Sequence, residues 1–182
     1  MNRNLIKNIS AKNISRGWPG KLFLNQDFTL KNLKNQLYSQ YFNIIHLANH
    51  AEFKPGKPEN SYIQLWDTQL HLDEIQEINW NNPTAKLLVL SACKTAVGDR
   101  DVELGFAGLA LQAGVQSVLA SLWYVNDIGT LVLMSEFYEK LKTAATKAET
   151  IRKTQIKMIQ GDVYLTREKL KFSRGEIPLP QS

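Results

Sequence analysis

Three runs of apolar residues punctuate the chain, at residues 41–48, 86–92 and 115–122. Each is short and nearly continuous, the pattern of a strand buried on both faces. Between and after them the apolar spacing changes to a helical one. Leu30, Leu33 and Leu37 fall at i, i+3 and i+7 within residues 29–40, with Thr29 placed as an N-cap. Residues 104–113 read as a second helix, closed by Gly114. Ile128, Leu131, Val132, Phe137, Tyr138 and Leu141 give residues 127–141 an apolar stripe, and residues 146–160 form another helical segment ended by Gly161. Strands that alternate with helices predict an α/β fold, a mostly parallel sheet flanked by helices on both faces.

Smaller features fill the gaps. Residues 62–66 alternate as a strand does, and Asp67-Thr68 turns the chain toward a partner at 69–72, a small β-hairpin. Residues 73–78 read as one or two helical turns. Residues 52–60, with two prolines and a glycine, read as a loop. Residues 1–27 show no clear period and read as an irregular lead-in or upstream linker. The domain proper is then 28–165. Residues 166–182, charged and then Pro-rich, read as a frayed or truncated tail.

Length and composition narrow the classes. At 182 residues, 43% hydrophobic and 21% charged, the chain fits one globular domain. No apolar run approaches the roughly 18 residues of a membrane span. The first residues lack the apolar core of a signal peptide, so a cytoplasmic location and no membrane partner are expected. The single cysteine excludes an internal disulfide and a thiolate-rich metal site. The net charge of +5 comes from basic groups at the two ends, Lys7 to Lys21 and Arg152 to Arg174. With no stripe of Arg and aromatic residues, that reads as a solvated basic surface, or a contact to an acidic neighbour, rather than a nucleic-acid site. No G-x-G-x-x-G and no G-x-x-x-x-G-K-[ST] occurs. His46 and His50 have the spacing of a helical zinc pair, but on a strand end that spacing does not converge on one ion. Neither metal nor cofactor is expected.

The chemistry concentrates where strands end. In an open parallel sheet, sites form beyond the carboxyl ends of the strands. His50 lies just past the first apolar run and Cys93 just past the second. A thiol needs a base, because the thiolate is the nucleophile. An imidazole takes that proton and returns it to a leaving amine. The backbone N–H groups of Ala51 and Cys93 follow the same strand ends and are placed to form an oxyanion hole. His71 has no motif and reads as a surface residue.

His46-Leu47-Ala48-Asn49-His50 followed by Leu90-Ser91-Ala92-Cys93-Lys94-Thr95 resembles the CHAT domain, a relative of the caspase, separase and gingipain peptidases. The resemblance continues through Gly105-Phe106-Ala107-Gly108-Leu109, Ala113 to Val118 and Ser121 to Asp127, and covers roughly residues 28–160. It implies a caspase-like fold and a cysteine endopeptidase with Cys93 as nucleophile and His50 as base. By likeness to separases, it implies that Asp127 binds a basic residue before the scissile bond, although Asp127 also stands where a helix N-cap is expected. It implies a protein or peptide substrate and a regulatory helical-repeat or sensor module as partner. Two departures stand out. Ala51 takes a place commonly held by Gly, and the tail lacks the aromatic-rich segment and final strand of the family. Both features leave open a second reading, a catalytically inactive CHAT-fold interaction or scaffold domain.

Overall fold

Four aliphatic residues in succession, Leu87–Leu90, are all buried, which requires cover on both faces and a neighbour on each side. The computed structural model supplies both for this strand. It describes residues 11–12, 14–52, 54, 58–78, 80, 84–91, 105–121, 126–166, 169–173 and 175–178. The chain divides into two compact units, Phe23–Val125 and Met1–Leu22 with Asn126–Ser182.

In the first unit, strand β1 is Ile44–Leu47, β5 is Leu87–Leu90 and β6 is Val118–Ala120. They form a parallel sheet in the order β1-β5-β6. Helix α1, Leu30–Ser39, starts where expected: the Thr29 hydroxyl accepts from the Asn32 N–H at 3.1 Å. Its Leu37 is buried, and Leu30 and Leu33 pack on the same core as Ile45, Leu47, Leu88 and Leu90. Helix α2, Gly105–Gln112, adds Phe106 and Ala110 to that core. It stops at Gly114, whose φ of 102° is a left-handed conformation that a Cβ would disfavour. Trp80 is buried too, and its indole N–H donates to the Ile75 carbonyl at 2.7 Å, which satisfies its one polar atom. Each such side chain contributes about 1.5–3 kcal/mol through burial.

The expected hairpin is larger than two strands. β3, Tyr62–Gln64, pairs antiparallel with β4, Gln69–His71, and also with β2, Ala51–Glu52. The expected α/β fold with a parallel sheet is present, in three of the described strands, and two small antiparallel sheets, holding the other six, add to it beyond the single hairpin expected. The parallel part was visible because its strands lie in nearly continuous apolar runs, although only β5 is buried throughout, β1 alternating and β6 staying half-buried. Two of the antiparallel strands, β2 and β7, have only two residues each, too few to show a period.

In the second unit, helix α3 is Asp127–Leu141 and α4 is Lys147–Gln160. The α4 caps match expectation: Thr146 accepts from the Glu149 N–H, and Gly161 ends the helix with φ 77°. The tail expected to fray forms strands instead. β7 (Tyr164–Leu165), β8 (Lys169–Phe172) and β9 (Gly175–Pro178) make an antiparallel sheet. The reason is the alternation Lys-Leu-Lys-Phe, which turns Leu170 and Phe172 into a core with Leu131, Val132 and Val163 while the lysines stay outside. Charge masked that period. The lead-in is not wholly irregular either. Residues 11–12 and 14–17 are helical, and the Trp18 indole N–H donates to the Tyr138 carbonyl at 3.0 Å.

Glu136 is fully buried in this unit. Ser173 donates to it from both its backbone N–H, at 2.8 Å, and its hydroxyl, at 2.5 Å, and Lys157 Nζ lies 3.3 Å away. Burial pushes the carboxyl up, but the two Ser173 bonds and the Lys157 charge together outweigh it and hold the group below the usual range. Among the described residues, no helix is long and apolar enough to cross a membrane.

Candidate active site at the carboxyl ends of β1 and β5

The register of the parallel pair determines what meets at the sheet edge. Ile44, Ile45, His46 and Leu47 stand opposite Leu87, Leu88, Val89 and Leu90. One further ladder bond, Ser91 N–H to the Leu47 carbonyl at 3.1 Å, carries the pairing past the last strand residues. His50 is three residues beyond Leu47, and Cys93 is three residues beyond Leu90. The two parallel strands, about 4.8 Å apart, therefore end at the same edge of the sheet, and the two residues have equal offsets in sequence from its last paired residues. Cys93 and Lys94 themselves lie outside the described residues, as do Leu122 to Val125 of the later motif.

His50 is exposed and its backbone is fixed. Its carbonyl accepts from the Gln64 N–H at 2.8 Å. One residue earlier, the Asn49 side-chain amide donates to the Gln64 carbonyl. Together these bonds tie the exit of β1 to β3. Sequence reasoning missed Asn49 and Gln64 as anchors. The available signal was Asn49, a residue type that bonds backbone groups where regular structure ends.

Ala51 falls in β2 rather than in a tight turn, opposite Ile63. In an antiparallel ladder successive residues face opposite sides. Since the His50 carbonyl engages Gln64, the Ala51 N–H is directed away from β3. The methyl group that Ala51 carries in place of the commoner Gly is accommodated by the backbone. Asn25 is the only non-glycine among the described residues with positive φ, so Ala51 occupies a conformation in which a Cβ costs nothing.

His46 lies on β1 with Nε2 hydrogen-bonded to Ser91 Oγ at 2.6 Å. Burial lowers its pKa to about 4, so the ring is neutral near pH 7. His71 is not a surface residue. It sits half-buried on β4, packs edge-on against the Tyr62 ring with centroids 6.1 Å apart, and leaves Nδ1 buried without a partner. It lies on the face of β4 opposite the buried Leu70, where the pairing with Tyr62 on β3 half-covers it, a contact that no sequence period reports.

Asp127 belongs to the second unit. It is the first residue of α3, and the cap is its neighbour: Asn126 Oδ1 accepts from the Ile128 N–H at 2.8 Å. The expectation that Asp127 serves as the N-cap is therefore corrected. A chain with Asn and Asp in succession offers two candidates, and the one in extended conformation takes the role.

Compared with known families, residues 3–171 match the sequence model of the CHAT domain. No curated protein matches the chain.

Proposed function

The chain belongs to the CHAT domain family, a caspase-like family, and from that premise we propose that it is a cysteine endopeptidase with a His50–Cys93 dyad. The observation that carries the reading is the register of β1 on β5, which gives His50 and Cys93 equal offsets from a paired Leu47 and Leu90. His50 takes the thiol proton and the Cys93 sulfur attacks the scissile carbonyl. The oxyanion is held by the backbone N–H groups of Ala51 and Cys93. The C–N bond breaks as the imidazolium returns its proton to the departing amine. Water, deprotonated by His50, then hydrolyses the thioester and restores the thiol.

Asp127 is the proposed acceptor for an Arg or Lys before the cut, through a charge-assisted contact. The likeness of the Ser121 to Asp127 motif to the separase segment is what supports that role. A helical-repeat or sensor module is the proposed regulator, acting by ordering the loops of the site.

The test uses peptidyl acyloxymethyl ketones, in which a peptidase thiolate displaces the carboxylate leaving group. Mass spectrometry is expected to find the adduct on Cys93 in the wild type and a rate at least about 100-fold lower in His50→Ala. A reagent with Arg or Lys beside the warhead is expected to label faster than one with Leu, and Asp127→Asn to remove that preference. Labelling of equal rate in wild type and His50→Ala contradicts the dyad. Equal rates for Arg and Leu reagents contradict only the role of Asp127.

A further inference from the structure

Position 46 is the one polar interruption in a strand that reads Ile-Ile-His-Leu. An aliphatic residue there would satisfy the core. An imidazole in the same place loses its hydration and must find partners. The structure gives it one of definite meaning. His46 stands opposite Val89, and Ser91, two residues further along β5, shares the same face of the pleat. The imidazole reaches forward across one residue and bonds the Ser91 hydroxyl at 2.6 Å. The Ser91 backbone is held in addition by its N–H bond to the Leu47 carbonyl. Ser91 is thus fixed twice to β1, once through backbone and once through side chain, two residues before Cys93.

We infer that His46 is a positioning residue: through Ser91 it fixes the segment that carries Cys93 against the segment that carries His50. The inference rests on the peptidase reading above and adds to it. The backbone ladder ends with the Ser91 N–H on the Leu47 carbonyl, a single bond that leaves Ser91 free to pivot. The side-chain tie from His46 to the Ser91 hydroxyl removes that freedom. The distance between a nucleophile and its base depends on such support, and a misplacement on the order of 1 Å costs up to about a hundredfold in rate. The role also needs a group that stays neutral while His50 cycles its proton, because two imidazolium ions four residues apart would repel. Burial supplies that neutrality.

The single cysteine makes the chain its own reporter, since every thiol alkylation, followed by mass spectrometry of its peptide, is at Cys93. The experiment is the rate of iodoacetamide alkylation of the full chain from pH 5.5 to 9. The variants are His46→Leu, His46→Gln, Ser91→Ala, Ser91→Thr and His50→Ala, with a thermal melt of each. The wild type is expected to react on the acid side of a free thiol, and to lose that advantage in His50→Ala. His46→Leu and Ser91→Ala are expected to slow alkylation at pH 6.5 by roughly tenfold. His46→Gln and Ser91→Thr keep a hydrogen-bonding group and retain most of the rate. Ser91→Ala removes one oxygen, so it keeps the test decisive if His46→Leu fails to fold. A wild type dependent on His50, with His46→Leu and Ser91→Ala profiles unchanged, overturns the positioning role and leaves the dyad standing. Equal slowing in all four His46 and Ser91 variants also overturns it, because packing alone would then explain the effect. A wild-type profile like that of a free thiol, insensitive to His50→Ala, overturns both.

Discussion

His46 in the first unit and Glu136 in the second are both enclosed titratable groups, and they meet the cost of enclosure in opposite ways. His46 has a neutral hydroxyl as partner and gives up its charge, with its pKa lowered to about 4 by burial. Glu136 keeps its charge, because Ser173 donates to it twice and Lys157 stands 3.3 Å away. A neutral pair is a modest contributor to stability, and changing it alters where chain segments point. A compensated buried carboxylate is tightly coupled to its partners, and removing it strands them. The first arrangement suits a site and the second suits a scaffold.

The comparison is broken most forcefully at Glu136. Glu136→Leu is expected to lower stability by about 3 kcal/mol, since it orphans the Ser173 donors and the Lys157 ammonium. Chemical denaturation followed by circular dichroism measures it. A loss under 1 kcal/mol would remove the contrast.

The two groups also separate along the pH axis. His46 is lowered from 6.5 to about 4 in the fold, so the unfolded chain binds the extra proton between those values. The stability it contributes is complete above pH 6.5 and is lost as pH falls toward 4, by roughly 3 kcal/mol in all. Glu136 is lowered from 4.5, so its contribution holds above that value and is lost only as pH falls below it. Melts between pH 7 and 3 are expected to show two declines. His46→Leu should flatten the upper one and Glu136→Gln the lower one. A single decline unaffected by His46→Leu would contradict the neutral state assigned to that ring.

Smaller effects sharpen the picture. Ser91→Ala is expected to cost about 1 kcal/mol, the net worth of one hydrogen bond, while slowing Cys93 far more than that loss suggests. Ala51→Gly is expected to lose about 0.5–1 kcal/mol through added chain entropy and to bring no gain in Cys93 reactivity, as its φ is not positive. A faster thiol in Ala51→Gly would mean that the methyl group obstructs the oxyanion site.

How far the sequence could be read depended on burial and element length. β5 was legible because all four of its side chains are buried, and α1 because Thr29 and three leucines mark its start and face. The carboxyl-end placement of His50 followed from those strands, since a parallel pair sends its ends to one edge. What escaped was short, alternating or shared between residues. β2 has two residues. β8 hides Leu170 and Phe172 between lysines. His71 and Asn126 owe their roles to a partner strand and to a backbone angle. The Glu136, Ser173 and Lys157 cluster joins residues 37 and 16 apart in sequence, and no local period reports such a contact.

The central claim, that His50 and Cys93 share one edge of the sheet, is tested most directly by the imidazole signals. The chain has three histidines and one cysteine, so a proton–carbon NMR spectrum of the rings is simple to assign. Carboxamidomethylation of Cys93 is expected to move the His50 ring signals most and to leave His71 in place. His50 signals that stay fixed while Cys93 is fully modified would contradict the account.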